Sequence, residues 1–340
     1  MAELYLEDKP MRALDVHSKV IESVFRTAKF LALVSGNETL KELVGSWGVK
    51  KGPTFKNPKG LARAATNDRA TPTTPAELQG VMEIFRSAGY SVNWLADAIP
   101  ALYESKGITI GAAKAEDSSN FALSIERVLL SEQECRLASD GVEALTRGIA
   151  KWLSPSAHTV TGVLDVPVSL RPTSAQWYTG TLAAFTEADL QAMLLAAYKR
   201  RGTDLALTAF MGIDLKQKMS SFAEKVPVTA TLDNVRKLSP QAKKELEVIC
   251  DIFRYDGVEV KAMIQSNLFA DTTKDGLDDT VATHKGGLFV EMDMLNMSWL
   301  EKISDKPDLA DHDGTSGCFR AAGRLEVRNP MSGCVVKPSA

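Results

Sequence analysis

The stretch "GRLEVRNPMSGCVV", residues 323–336, constrains this chain most. Leu325 and Val327 alternate with Arg324, Glu326 and Arg328, the period of a strand with one buried face. Asn329-Pro330 breaks the run, and Cys334, Val335 and Val336 resume it. Chain ends usually fray. An ordered strand this late must find a partner strand, and something must cover Leu325 and Val327.

The length of 340 residues exceeds one ordinary compact domain. With 44% hydrophobic and 24% charged residues the chain is globular rather than disordered. A net charge of −3 argues against a surface that grips nucleic acid throughout. "MAELYLEDKP" is acidic where a secretory signal is basic. The longest clean apolar run, "FLALV" at 30–34, is far short of the ~20 residues that span a bilayer. A soluble protein made in the cytoplasm is expected. Cys135, Cys250, Cys318 and Cys334 form no C-x-x-C pair and read as buried thiols of a reducing compartment. A Cys318–Cys334 disulfide across a hairpin is the alternative.

Along the chain, spacings of three and four among Leu14, Ile21, Val24, Phe25, Ala28 and Leu31 predict a helix over 10–34, with a short second helix in "NETLKELVG", 37–45. Residues 50–69, "KKGPTFKNPKGLARAATNDR", hold six basic residues against the single Asp68 and show no periodicity. Such a stretch is disordered or a functional excursion. "LQGVMEIFRSAGYSVNWL" then returns as strand, so residues 49–94 read as a long extended loop.

A long helix is expected over 112–135, with Phe121, Ile125, Val128 and Leu129 as a narrow buried stripe and Glu126, Arg127, Glu132 and Glu134 facing away. "FTEADLQAMLLAAYKRRG", 185–202, is the clearest helix. Thr186 and Asp189 cap its start, Lys199, Arg200 and Arg201 suit its C-terminal dipole, and Gly202 ends it. A strand in "DLALTAFMG" and a helix in "IDLKQKMSSFAEKV" follow. Beyond Pro240 a helix and then a hairpin turning at Asp256-Gly257 are favoured over one helix running to Phe253.

Signatures of chemistry are sparse. No G-x-x-x-x-G-K-[ST], G-x-G-x-x-G, G-x-S-x-G or H-E-x-x-H is present. His17, His158, His284 and His312 are scattered without ligand spacing. Asp271, Thr273, Asp275 and Gly276 fit the first half of a calcium loop, but Ala282 stands where a bidentate Glu is required. Asp305, Asp308, Asp311, His312 and Asp313 could gather a metal, yet Gly, Ser and Pro among them favour a turn-rich acidic connector. The basic run 50–69 has Phe55 as its only ring, which favours protein contact over single-strand binding. No catalytic, cofactor-binding or metal residue is assigned, and no cofactor is expected. A binding or structural role is.

The order of these features resembles the major capsid proteins of tailed bacteriophages, with the Hong Kong 97-type fold. "VMEIFRSAGYSVNWLADAI" is similar to the strand returning from that family's extended loop. "SSNFALSIERVLLSEQECRLASDGVEAL" resembles the end of its spine helix. The segment from "FTEADL" to "KQKMSSF" and "ICDIFRYDGVEVKAMIQSN" resemble its axial domain, and "LFVEMDMLNMSWLEKISDKPDLADHDGTSGCFRAAGRLEVRNP" its closing strands.

The resemblance implies an α+β shell subunit. Its parts would be an N-terminal arm at 1–48, an extended loop at 49–95, a peripheral domain split over 96–165 and 287–340, and an axial domain at 166–286. It implies a non-enzymatic protein that assembles with itself, through pentamers and hexamers, into an icosahedral shell around double-stranded DNA held non-specifically. Portal, scaffolding or decoration proteins would be partners, no membrane would be, and the protein would sit in the virion after assembly in the host cytoplasm. An encapsulin-like nanocompartment, a metal-dependent enzyme built on the acidic clusters, and a nucleic-acid binder acting through 50–69 are the rivals.

Overall fold

The computed structural model describes residues 28–34, 36–38, 42–49, 77–93, 110–139, 142–156, 165–202, 204–224, 239–240, 251–255, 257–265, 268–269, 284–307 and 314–339. In the first half of the chain the elements are α1 (Lys29–Leu33), β1 (Gly36–Glu38), β2 (Val44–Gly48), β3 (Glu77–Val81), β4 (Glu83–Arg86), β5 (Tyr90–Asn93), α2 (Ile110–Leu129) and α3 (Ile149–Trp152). Then follow β6 (Trp177–Tyr178), α4 (Glu187–Arg201), β7 (Leu205–Met211), α5 (Ile213–Glu224), β8 (Ser239–Pro240), β9 (Asp251–Tyr255) and β10 (Val258–Ile264). The last strands are β11 (Gly287–Val290), β12 (Leu295–Pro307), β13 (Gly314–Val327) and β14 (Cys334–Val336).

The strand read from the alternation around Leu325 and Val327 belongs to β13, and it does pair with earlier chain. It forms a long antiparallel hairpin with β12, and its other edge takes β4 and then β5. β1 adds to the far edge of β12 in parallel, completing a five-stranded sheet. The chain thus returns from the 50–76 excursion as strand. Ser87, Ala88 and Gly89 separate β4 from β5, with Gly89 at φ 97°, a left-handed conformation that favours glycine.

Of the second helix expected at 37–45, residues 37–38 lie in strand β1 and 44–45 in strand β2, while 39–41 lie outside the described residues. β1 satisfies the open edge of β12, and β2 pairs antiparallel with β3. Main-chain pairing with remote segments outweighs a weak local helix preference. Of the helix expected over 10–34, α1 is the described part; residues 1–27 lie outside the described residues.

α2 lies on the five-stranded sheet, and Phe121, Ile125 and Leu129 share one core with Leu325 and Val327 of β13. The helix stops at Leu129 rather than 135. The Ser131 hydroxyl donates to the Val128 carbonyl at 2.7 Å and accepts from the Gln133 amide at 3.0 Å, offering the backbone a local alternative to another helical turn. Its buried face is broader than the apolar stripe, because Asp117, Ser118 and Glu126 are buried alongside Phe121, Ala122, Ile125 and Leu129. Glu126, expected to face away, is 0% exposed.

A second sheet of seven strands has the order β6-β14-β11-β7-β10-β9-β8. The β9–β10 hairpin turns where expected, with Gly257 at φ 81°. Ser239–Pro240 is a short strand paired with β9, and residues 241–250, where a helix is expected from sequence, lie outside the described residues. The helix at 185–202 is α4. Thr186 accepts from the Asp189 amide at 3.3 Å, Asp189 caps in return, and Gly202 ends the helix at φ 74°.

α4 and α5 cover one face of this sheet. Leu190, Met193 and Leu194 meet Leu205, Leu207 and Ala209 there, together with Phe289, Cys334 and Val336. The alternate residues Phe210, Leu288, Val290 and Val335 belong to the core under α2. The central strands are therefore buried on both faces, which is why "GLFV" in β11 is apolar without alternation. Residues 287–340 contribute to both sheets, with β11 and β14 in the second. The Asn329-Pro330 turn carries the chain between them. Cys318 and Cys334 consequently stand in different sheets as free buried thiols. Among the described residues, no helix is long and apolar enough to cross a membrane.

Leu325 is 1% exposed. Leu325→Asp buries a carboxylate in an apolar core, which costs about 3 kcal/mol or more. The expected outcome is loss of soluble folded protein, whereas Leu325→Ala folds with a urea midpoint lowered by about 2–5 kcal/mol of stability. Full stability for Leu325→Asp would show that this face of β13 is not core.

Candidate functional site at the roots of two excursions

β13 shows why a second excursion matters. Arg324 and Glu326, the polar alternates of the opening motif, are 7% and 6% exposed. The strand is buried on both faces, because the β2–β3 ribbon covers the second one.

That cover is specific. The Trp47 indole N–H donates to the Val327 carbonyl at 3.0 Å, and its ring lies 5.6 Å from the Arg324 guanidinium carbon and 5.7 Å from Trp152. Arg324 donates through Nε and Nη2 to Glu326 Oε1 at 3.2 and 3.0 Å. Ser298 and Asn296 of β12 complete the carboxylate at 2.7 and 3.2 Å. A buried ion pair survives only with its remaining lone pairs satisfied, and β12 supplies those donors. Glycine is required at Gly45, where a Cβ would overlap the guanidinium, and at Gly80, where it would stand 2.8 Å from the Trp47 ring. Residues 44–48 and 77–81 thereby anchor both ends of the segment 50–76 to the body.

The N-terminal segment has a comparable anchor. Phe30 and Leu31 are the second and third residues of α1, whose flanking Ala28 offers no side-chain cap. Their amides donate instead to Glu126 Oε2 at 2.8 and 3.2 Å, and Gln265 Nε2 donates to Oε1. A carboxylate far along the sequence does the work of an N-cap. Glu126 thus ties α1, α2 and the end of β10 together, and burial pushes its carboxyl above the ordinary range. Phe30 stacks edge-on against Phe210 of the second sheet, with ring centroids 5.2 Å apart.

Asp117 makes the corresponding link at the β4–β5 connection. It accepts from Ser87 Oγ at 2.5 Å and the Gly89 amide at 3.2 Å, while Ser87 Oγ accepts from the Phe319 amide at 2.9 Å. Asp117 and Glu126, on the buried side of this helix, each fasten one chain segment to another.

The sequence-derived candidates fall elsewhere. Asp305 accepts from Tyr90 Oη and Lys114 Nζ at 2.7 Å each, joining β12 to β5 and α2. Asp308, Asp311, His312 and Asp313 lie outside the described residues, in the connection between β12 and β13. So do Asp271, Thr273, Asp275, Gly276 and Ala282, the basic run 50–69, His17, His158 and Cys250. Among the described residues, no three His, Cys, Asp or Glu side chains gather as a metal site needs.

Glu126, Trp47 and Arg324 were not singled out from sequence. Glu126 carried a signal nonetheless, since it stands four residues after Ala122 and three before Leu129, inside the apolar stripe. Nothing local marked Arg324, whose cover comes from a ribbon far away in sequence.

This architecture is found in known shells. The fold is similar to the capsid of the cyanophage P-SCSP1u, with a TM-score of 0.52 at 11% identity over 90% of this chain and 86% of that one. It is also similar to the Gordonia phage Cozz structure, with a TM-score of 0.50 at 13% identity over 92% and 87%. A virus-like particle from Pyrococcus furiosus aligns over 94% and 96%, with a TM-score of 0.48 and 8% identity. No curated protein sequence matches. The fold is the Hong Kong 97-type fold of tailed-phage capsid subunits. Residues 27–339 match the SU10 major capsid protein model, and the chain belongs to that family. It is a major capsid protein, a structural component of the virion shell.

Two substitutions probe the anchors. Glu126→Ala leaves the Phe30 and Leu31 amides and the Gln265 amide without a buried acceptor, so a loss of about 3 kcal/mol or more is expected in denaturant titration. Trp47→Phe keeps the ring and loses the bond to Val327, costing about 1–2 kcal/mol, while Trp47→Ala costs about 3–5. A Trp47→Phe variant as stable as wild type would argue against the indole hydrogen bond as an anchor, and equal losses in the two variants would argue against the ring.

Proposed function

We propose that the subunit assembles through pentamers and hexamers into a closed icosahedral shell around double-stranded DNA, in the host cytoplasm, with contacts made by the segments 1–27 and 50–76. The observation that carries this reading is the investment in the β2–β3 ribbon. A buried ion pair, a tryptophan and two closely approached glycines fix the ribbon whose strands flank residues 50–76, the stretch that holds the whole basic run 50–69. A stem held this firmly aims what it carries, and a basic, Pro- and Gly-containing segment gains its burial against another copy's surface. Head-to-tail contacts around five- and six-fold axes close by rotation.

In this reading the five-stranded sheet with α2 is the peripheral domain, the seven-stranded sheet with α4 and α5 is the axial domain, and β11 and β14 join the two. Portal, scaffolding or decoration proteins are the expected partners. DNA is held without sequence readout, as the net charge of −3 suits.

Expression of the full chain, alone or with its scaffold, followed by negative-stain microscopy tests this. Hollow particles are expected, with nuclease-protected DNA when packaging proteins are supplied. Deletion of 50–76, bridged by a short Gly/Ser link, should leave a folded subunit by circular dichroism that forms no shells. Shells of normal size from the deletion variant would remove the assembly role from that segment. A co-purifying protein cargo with no nucleic acid would replace DNA packaging with compartment function.

A further inference from the structure

One buried carboxylate belongs to neither anchor described above, and it stands where the ribbon leaves the body. β3 pairs with β2 in the ribbon, whereas β4 pairs with β13 in the five-stranded sheet. Met82 is the last residue to face the ribbon, its amide donating to the Leu43 carbonyl at 2.9 Å, and the change of partner follows it. Glu83 follows immediately, opposite Gly323 of β13, with 9% of its surface exposed.

Its side chain reaches away from both strands. Oε2 accepts from the Thr146 amide at 2.9 Å and from Gln133 Nε2 at 2.8 Å, and Gln133 Nε2 also donates to the Thr146 carbonyl at 2.9 Å. Thr146 Oγ1 in turn accepts from the Leu325 amide at 3.4 Å. The joint between ribbon and sheet is therefore fastened through one carboxylate to the segment after α2, and from there back to β13.

We propose that Glu83 is a proton-controlled latch at this joint, holding the ribbon rigidly to the body in mild acid and releasing it toward a looser seating as the pH rises to neutral. The geometry carries the inference. A single ionisable side chain bridges the point where the ribbon changes sheets, and its charged form must be housed away from water with two donors only.

The charged groups that bear on it are Glu143, which disfavours the carboxylate, and Arg136, which favours it. Both are solvent-exposed and on the segment after α2, so salt screens them. Burial dominates and lifts the Glu83 carboxyl from 4.5 to about 7, against the two donated bonds that lower it. A carboxyl whose docked value lies above its undocked one favours docking most below the undocked value. That preference is lost as the pH climbs through 4.5 to about 7, and is flat beyond. The Trp47–Arg324–Glu326 clamp sits on the neighbouring face of β13 and keeps the ribbon attached while the joint loosens. The inference concerns one chain and does not depend on how shells assemble.

Hydrogen exchange read by mass spectrometry on the full chain tests it, with rates corrected for intrinsic pH dependence. Between pH 5 and pH 8 the wild-type amides at 78–83 and 145–147 should lose protection by roughly tenfold or more, while β7 and β10 stay constant. Glu83→Gln should abolish the pH difference. Gln133→Met removes a donor to the charged form and should move the midpoint of the wild-type transition to higher pH. Constant wild-type protection at these amides overturns the proposal, and so does an unshifted midpoint in Gln133→Met. The wild-type profile and Gln133→Met decide the matter even if Glu83→Gln fails to fold.

Discussion

The structure depends on β13 being buried on both faces. One face meets α2 through Leu325 and Val327, as an apolar core requires. The other carries Arg324 and Glu326, which can leave water only because β12 supplies Asn296 and Ser298 and because Trp47 roofs the guanidinium. Removing the ribbon would return a buried ion pair to partial solvation and expose the indole. The polar half of the last long strand is thus the mounting of the ribbon that flanks residues 50–76.

A common device recurs around α2. Asp117 and Glu126 each accept main-chain amides from a segment distant in sequence, and Glu83 does the same from the strand side. Burial costs a carboxylate several kcal/mol unless its oxygens are met by donors. Backbone amides are donors that no substitution short of proline removes, so these carboxylates hold chain position rather than side-chain identity. That suits a subunit whose task is to keep several extended segments in fixed relation. It also explains why the helix stripe reads as narrow in sequence, since two of its buried positions are filled by acids.

The two sheets are not independent modules. β7, β11 and β14 present one face to α4 and α5 and the other to the core beneath α2. The chain crosses between sheets at Asn329-Pro330, so its last strand closes the second sheet while β13 closes the first. A boundary drawn near residue 287 from sequence order puts β11 and β14 with the first sheet. Hydrogen bonding puts them in the second.

Periodicity determined much of this protein directly. The α4 capping pair, the β7–α5 unit, the Asp256-Gly257 hairpin and the alternation in β13 are local patterns, and local patterns are what sequence records best. The order of these elements sufficed to suggest the capsid fold. What only tertiary structure decided was every feature that depends on a remote partner. Residues 37–38 and 44–45 became strand because a sheet edge and a ribbon mate were waiting for them. Glu126 turned inward because α1 lacked a cap, and Arg324 was buried because a tryptophan 277 positions earlier in the numbering covers it. A side chain's exposure is set by what packs on it, and the sequence near β13 holds no trace of the ribbon that does so.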